Sequence, residues 1–500
     1  VAFSSPLEAE WLEADGLGGF ASGTVSTVRS RRYHAWLLAA TTPPTGRFVL
    51  VNGADVWIES QGRRTFLSSQ HYLPGEIPAA PPPTWDAFWI HPWPTWRFRL
   101  PSGTTIRQEL FAVHERPLVI VRWSLDHHAG DETRLVMRPL FSGRDYHALH
   151  RENEAFGWLP RREGQALVWS PYPGVPDIIV LTNGSYIHQP AWYRHFLYTA
   201  ERDRGLDFQE DLAAPGTFSW DLRAGAAALL LTTDRRRLGE DPAAEATSLA
   251  EDYASQERRR RGRFASELHR AADAYVVRRG SGQTLIAGYP WFTDWGRDTF
   301  IALRGLCLAA GRFDVAAAIL LNWSRHVSQG MLPNRFPDSA AVPEYNSVDA
   351  SLWYVNTVGD FLRRAPHVAP EVQRELEAAV DAILHGYARG TRFDIRMDAD
   401  GLIAAGRPGV QLTWMDAKVG DWIVTPRIGK PVEVQALWLN ALHAFRRLSQ
   451  DYDRWFREGR DSFRRRFWNS ERKCLFDVVD VDHEPGRIDL AVRPNQIFAV

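Results

Sequence analysis

Five hundred residues exceed what one ordinary hydrophobic core organises, so at least two domains are expected. The 59 Lys+Arg against 60 Asp+Glu leave a formal charge of −1, which removes any electrostatic reason to bind nucleic acid or a membrane surface. A 45% hydrophobic and 24% charged composition excludes a disordered chain, and two cysteines (Cys307, Cys474) exclude a disulfide scaffold or a cysteine-rich zinc site and fit a reducing, cytoplasmic setting.

No apolar run approaches the roughly 18 residues of a membrane span, and no charged-then-apolar leader opens the chain. It begins without Met and closes inside the apolar stretch RPNQIFAV, so it reads as a piece of something longer. Its 21 Trp are heavy usage. An indole suits the flat C–H face of a sugar ring, although large aromatics also simply fill cores.

Residues 1–240 read as a β domain. RRYHAWLLAA, RFVLVNGADVWIES, TWRFRLPSG, TIRQELFAV, PLVIVRWSLD, GQALVWSPY, DIIVLTNGSYIHQ and AAALLLTTD are short runs bounded by Gly, Pro and Asn. With no helical pattern between them, an antiparallel β-sandwich is expected. AAPPPTWDAFWIHPWPTW is too rich in proline for a strand and reads as an ordered loop.

Residues 241–280 read as a linker helix region broken at Gly262, with Arg258 to Arg261 on a solvated face. From 281 to 500 the period is helical: RDTFIALRGLCLAA, FDVAAAILLNWSRHV, DASLWYVNTVGDFLRRA, PEVQRELEAAVDAILHGYARG, PVEVQALWLNALHAFRRLS and YDRWFREGRDSFRRRFWN. Elaborate Trp/Gly/Pro/Asp loops between helical hairpins suggest an α/α toroid, unfinished at Val500 with roughly seven helices where twelve would close it.

Three loops carry the chemistry. Gly288 to Gly305 holds Trp291, Trp295, Arg297, Asp294 and Asp298, a set able to stack on a sugar and pair its hydroxyls. Asp298 also suits an ordinary first-turn acid. Gly330 to Val355 holds Glu344, Asn346, Ser347, Asp349 and Trp353. Asn346 and Asp349 have capping-box spacing, but Asp349 and Trp353, four apart, share a helical face. An indole beside a carboxyl desolvates it and favours the protonated form that a general acid needs.

The third loop, Gly409 to Trp438, carries Trp414, Asp416, Lys418, Asp421, Trp422, Arg427 and Glu433. Glu433 at a helix start suits a surface acid complementing the dipole, and Lys418 suits either a hydroxyl or a neighbouring aspartate. No zinc spacing, P-loop or GxSxG elbow is present.

WLEADGLGGFASGTVSTVRSRRYHAWLLAA resembles the opening of the archaeal and bacterial-type glycogen debranching enzymes, with Asp15 where Asn is usual and Ala35 where Gly is usual. TDWGRDTFIA, EYNSVDASLWY and LTWMDAK…TPRIGKPVEVQALW resemble the amylo-α-1,6-glucosidase domain of that family, itself related to the inverting glucoamylases. The resemblance implies an (α/α)6 barrel, a glycogen-like or branched α-glucan substrate and no metal or organic cofactor. It implies a glucose subsite at Trp295, Arg297 and Asp298, with Asp349 as general acid. Trp353, Trp414, Asp416, Lys418 and Glu433 would line the pocket. The general base would lie beyond Val500. A glucoamylase-like α-glucosidase, an inverting phosphorylase and a non-catalytic glucan-binding protein are the alternatives. The sequence does not set the oligomeric state.

Overall fold

A computed structural model describes residues 8–73, 85–130, 132–235, 246–337 and 342–499. Two compact units divide at Arg279 and Gly280.

The first unit is built on two eight-stranded antiparallel sheets. One runs in the order Glu10–Ala14, Phe20–Thr24, Ala35–Thr42, Thr45–Ser60, Arg134–Asp145, Gln209–Asp221, Ser185–Leu197, with Arg63–Phe66 also on Thr45–Ser60. The other runs Arg161–Glu163, Ala166–Trp169, Ile178–Thr182, Ala227–Thr232, Leu118–His127, Thr105–Ala112, Thr95–Arg99, Trp85–Trp89. Their alternating apolar residues meet in a shared core in which Trp11, Leu50 and Phe141 of the first sheet join Trp96, Leu110, Trp123 and Trp169 of the second. Buried indoles use both their faces and their N–H groups: Trp96 donates to Val25 O at 2.8 Å and Trp123 to Gln108 Oε1 at 2.8 Å.

Two readings of the first unit are corrected. The proline-rich run is not a loop from Trp85 onwards: Trp85–Trp89 and Thr95–Arg99 pair as a hairpin at the sheet's edge, with Pro92 and Pro94 between them. An edge strand has one unpaired side, so nearby prolines break no interior ladder; residues 79–84 lie outside the described set. The arginine run is not a uniformly solvated face either. Helix α1 (Ala246–Arg261) ends just before Gly262, and Arg261 is buried, bonding Glu13 at 2.6 Å and Glu257 at 3.1 Å. The small face of α1, Ala246, Ala250 and Ala254, packs on Phe111, Ile120 and Leu230 of the second sheet. Its first expected residues, 241–245, are outside the described set. A shorter helix, α2 (Glu267–Ala274), follows, with Ser266 accepting from the His269 N–H.

The second unit is helical: α3 (Gly296–Leu303), α4 (Phe313–Ser324), α5 (Ala350–Arg364), α6 (Pro370–Arg389), α7 (Val432–Phe445) and α8 (Gln450–Arg466). Each matches one expected helical run. Helix α5 is the hub, buried from Ala350 to Phe361. Its polar side chains reach neighbouring carbonyls: Tyr354 Oη to Leu320 O of α4 at 3.2 Å, Thr357 Oγ1 to Phe300 O of α3 at 3.1 Å, and Asn356 Nδ2 to Leu437 O of α7 at 3.0 Å. These bonds satisfy buried polar groups and fix how the helix starts converge. Among the described residues no helix is long and apolar enough to cross a membrane.

Candidate active site

The site is built where α3 and α5 begin. Gly296 donates its N–H to Asn334 O at 2.7 Å, and a Cβ there would sit 2.4 Å from Pro333 O and 3.2 Å from the Ala350 Cβ. Only glycine allows this approach, which carries Arg297 to the residue preceding α5.

That residue is Asp349. Its capping alternative does not hold, because Ser347 does that work: Ser347 Oγ accepts the Ala350 N–H at 3.2 Å and donates to Asp349 Oδ1 at 2.7 Å. Asp349 occupies the cap position without a side-chain cap bond. Arg297 Nη1 donates instead to Asp349 Oδ2 at 3.1 Å, and Arg297 Nη2 to Asp416 Oδ2 at 3.1 Å. One guanidinium therefore joins the first, second and third loops. Burial disfavours its charge, yet Asp349, then Asp416 and Asp298, raise its pKa above the ordinary arginine value.

Asp298, in the first turn of α3, opens to solvent at this cluster. Desolvation by the surrounding protein, with repulsion from Asp349 and Asp416, raises its pKa against the opposing pull of Arg297.

A cavity of about 310 Å³ is lined by Arg297, Asp349, Trp353, Trp414, Glu433 and Leu437, with Ile301, Pro494, Asn495, Ile497 and Phe498 completing its wall. Trp353 and Phe498 meet edge to face at 5.4 Å between ring centroids. Asp349, Arg297, Trp353, Trp414 and Glu433 thus share one hollow, with Asp416 bonded to Arg297 and Asp298 next to Arg297 in the chain but outside the lining.

Trp295 and Lys418 are outside that lining. Trp295 precedes α3 with Phe292 at its edge and the Arg335 guanidinium over its ring at 5.1 Å. Glu344 is engaged by Arg335 at 2.7 Å. Lys418 is exposed in a two-residue strand paired with Trp422–Ile423, and Asp416 is bonded to Arg297.

Glu433 is not the surface acid its position suggested. It is buried, and the Arg427 guanidinium forks onto both its oxygens, Nη2 to Oε2 at 2.7 Å. Asp477, Asn495 and Arg493 complete this cluster and went unnoticed in the sequence. The only signal was an isolated acid in the apolar run CLFDVV and an asparagine inside RPNQIF. Burial disfavours the Arg427 charge, but Glu433 and Asp477 raise its pKa above the ordinary value. Among the described residues no group of His, Cys, Asp and Glu is arranged to hold a metal.

An antiparallel β domain is followed by a helical unit whose loops gather carboxylates, arginine and indoles around one hollow. Residues 9–229 match the family model for the glycogen debranching enzyme N terminus, and residues 270–500 match that for amylo-alpha-1,6-glucosidase. Together, in that order, these matches put the chain in the glycogen debranching enzyme family.

The glycogen debranching enzyme of Saccharomyces cerevisiae is 28% identical over 217 residues, which cover 32% of this chain and 14% of the yeast protein. The match thus spans a small part of that relative's length. A bacterial glucoamylase solved in complex with acarbose shares the fold with TM-score 0.54 at 10% identity, covering 99% of this chain and 77% of its own.

Proposed function

We propose that the chain is an inverting amylo-α-1,6-glucosidase that removes α-1,6-linked glucose from a glycogen-like glucan, and that its helical unit forms part of an (α/α)6 toroid. The carrying observation is that Arg297 bonds Asp349 and Asp416 at the edge of a cavity shared with Trp353, Trp414 and Glu433. At about 310 Å³ the cavity is at the small end of ligand sites, about 300–1,000 Å³, as a single glucosyl unit requires.

Asp349 is the general acid in this reading. In the structure its carboxylate accepts from Arg297 and Ser347. Entry of a glucosyl residue transfers the Arg297 bonds to sugar hydroxyls, freeing the Asp349 carboxyl, on the cavity wall it shares with Trp353, to deliver a proton. That proton passes to the glycosidic oxygen while a water, giving its own proton to a second carboxylate acting as general base, attacks the anomeric carbon from the opposite face. Asp298 and Asp416 accept glucose hydroxyls, Trp414 packs on the ring, and Trp295 and Lys418 belong to the outer rim. Glu433 already accepts from Arg427 and Asn495, which suits a fixed hydroxyl acceptor better than a proton carrier.

Chromatography of the products from a dextrin carrying single α-1,6-linked glucosyl branches, with and without phosphate, tests the reading. Free glucose in both reactions is expected; glucose 1-phosphate would overturn hydrolysis, and tight glucan binding with no product would leave only a binding protein.

A further inference from the structure

Three charges are buried behind one wall of the cavity, and a fourth, Arg493, is half-buried beside them. Side-chain exposure is 1% for Arg427, 3% for Glu433 and 1% for Asp477. Arg427 Nε donates to Asp477 Oδ2 at 2.9 Å and Nη2 to Asp477 Oδ1 at 2.8 Å, while its fork holds Glu433. Arg493 adds the second cation on Asp477. Asn495 Nδ2 bridges the two acids, at 2.5 Å to Glu433 Oε2 and 3.3 Å to Asp477 Oδ1.

Arg493 is shared with Asp489 at 3.0 Å, so the buried centre is Arg427 between Glu433 and Asp477, and burying it costs desolvation that well-packed hydrocarbon in its place would avoid. Only Glu433 and Asn495 of this set reach the cavity. Arg427 does not line it, but among the described residues it is the one side chain that grips both Glu433 oxygens, and Asp477 grips it from behind. A planar fork fixes the plane of the carboxylate as well as its position, which a lysine cannot do.

We infer that Arg427 is a positioning residue for glucoside cleavage: braced by Asp477, it sets the plane and place of the Glu433 carboxylate in the hollow that contains Asp349. This rests on the glucosidase reading above and adds to it which residues orient the glucosyl unit. Asp477 and Asn495 act with Arg427, each through Glu433.

The test uses isomaltose hydrolysis by the whole chain. Arg427→Met should lower kcat/KM about 100-fold, the scale of a misplaced substrate-orienting group. Arg427→Lys should recover less than a third of that loss on a logarithmic scale. The loss should divide between kcat and KM as the Glu433→Gln loss does, because both changes act on the same carboxylate. In a Glu433→Gln background, Arg427→Met should add less than threefold, because its effect passes through Glu433.

Wild-type kcat/KM in folded Arg427→Met would overturn the proposal, as would fully multiplicative losses in the double variant. Should Arg427→Met fail to fold by circular dichroism, Asp477→Asn keeps the Glu433 fork and takes its place, with a drop of at least fivefold expected and no drop contradicting the idea. Failure of the wild type to release glucose from isomaltose would instead defeat the glucosidase reading.

Discussion

Each unit holds an arginine–carboxylate cluster, and the two differ in their access to solvent. In the β unit, Arg144 pairs with Glu210 at side-chain exposures of 5% and 0%. Glu210 also accepts from the His150 N–H at 2.9 Å, Asn52 Nδ2 at 3.3 Å and the Tyr198 hydroxyl. Every lone pair is occupied by protein. In the helical unit, Arg297 pairs with Asp349 and Asp416 at exposures of 16%, 3% and 40%, and opens on a cavity. A guanidinium shared by two acids at 3.1 Å can exchange them for sugar hydroxyls; the β-unit cluster has nothing to exchange with. Access separates a reactive ion pair from a structural one, and burial alone does not.

The largest expected effects separate the two directly. Asp349→Asn should lower kcat by about 10²–10⁴, the contribution of a general acid, with little change in melting temperature. Glu210→Gln should reverse this, costing about 3–5 kcal/mol by leaving Arg144 buried and unpaired, with kcat unchanged in the folded fraction. Parallel kinetics and thermal denaturation check both, and equal kinetic losses would erase the distinction. Gly296→Ala comes next. Its Cβ meets Pro333 O at 2.4 Å, so α3 must retreat and Arg297 with it. A kcat/KM loss of about 100-fold is expected, read on isomaltose.

Charge without access also predicts pH dependence inside the β unit. Asp15 is buried, and desolvation pushes its pKa up to about 7 although the Leu17 and Gly19 N–H groups oppose it. An unfolded Asp ionises near 3.9, so the folded state binds the extra proton between about pH 4 and pH 7. The stabilising contribution is complete below that range and is lost as pH rises through it. Asp15→Asn should therefore match wild type near pH 3 and exceed it by at most about 4 kcal/mol at pH 8, measured by urea titration. Glu210 has the opposite sign: burial raises its pKa, but Arg144 and its hydrogen bonds lower it further, so its contribution is lost as pH falls. The smallest effect is Trp353→Phe, which keeps a ring against Phe498 and should weaken inhibition by 1-deoxynojirimycin by no more than tenfold.

The helical runs and most strands were legible because their periods are strong. The strands Arg134–Asp145 and Gln209–Asp221 were not: their turns and charges interrupt the alternation, and both carry register shifts where they pair. The prolines of HPWP masked an edge hairpin in the same way.

At the site, Arg297, Asp349 and Trp353 could be found because they crowd into short loops. The Arg427 set could not be assembled, since Arg427, Glu433, Asp477 and Asn495 are brought together from 68 positions of chain and each looks ordinary alone. Distance along the sequence hides a cluster that burial makes obvious.

Proton NMR of the glucose first released from methyl α-isomaltoside, whose leaving group stays a methyl glucoside, by wild type and by Asp349→Asn tests the central claim most directly. The account predicts β-glucose as the initial anomer from the wild type and almost none from the variant. Undiminished glucose from Asp349→Asn, or α-glucose from the wild type, would contradict it.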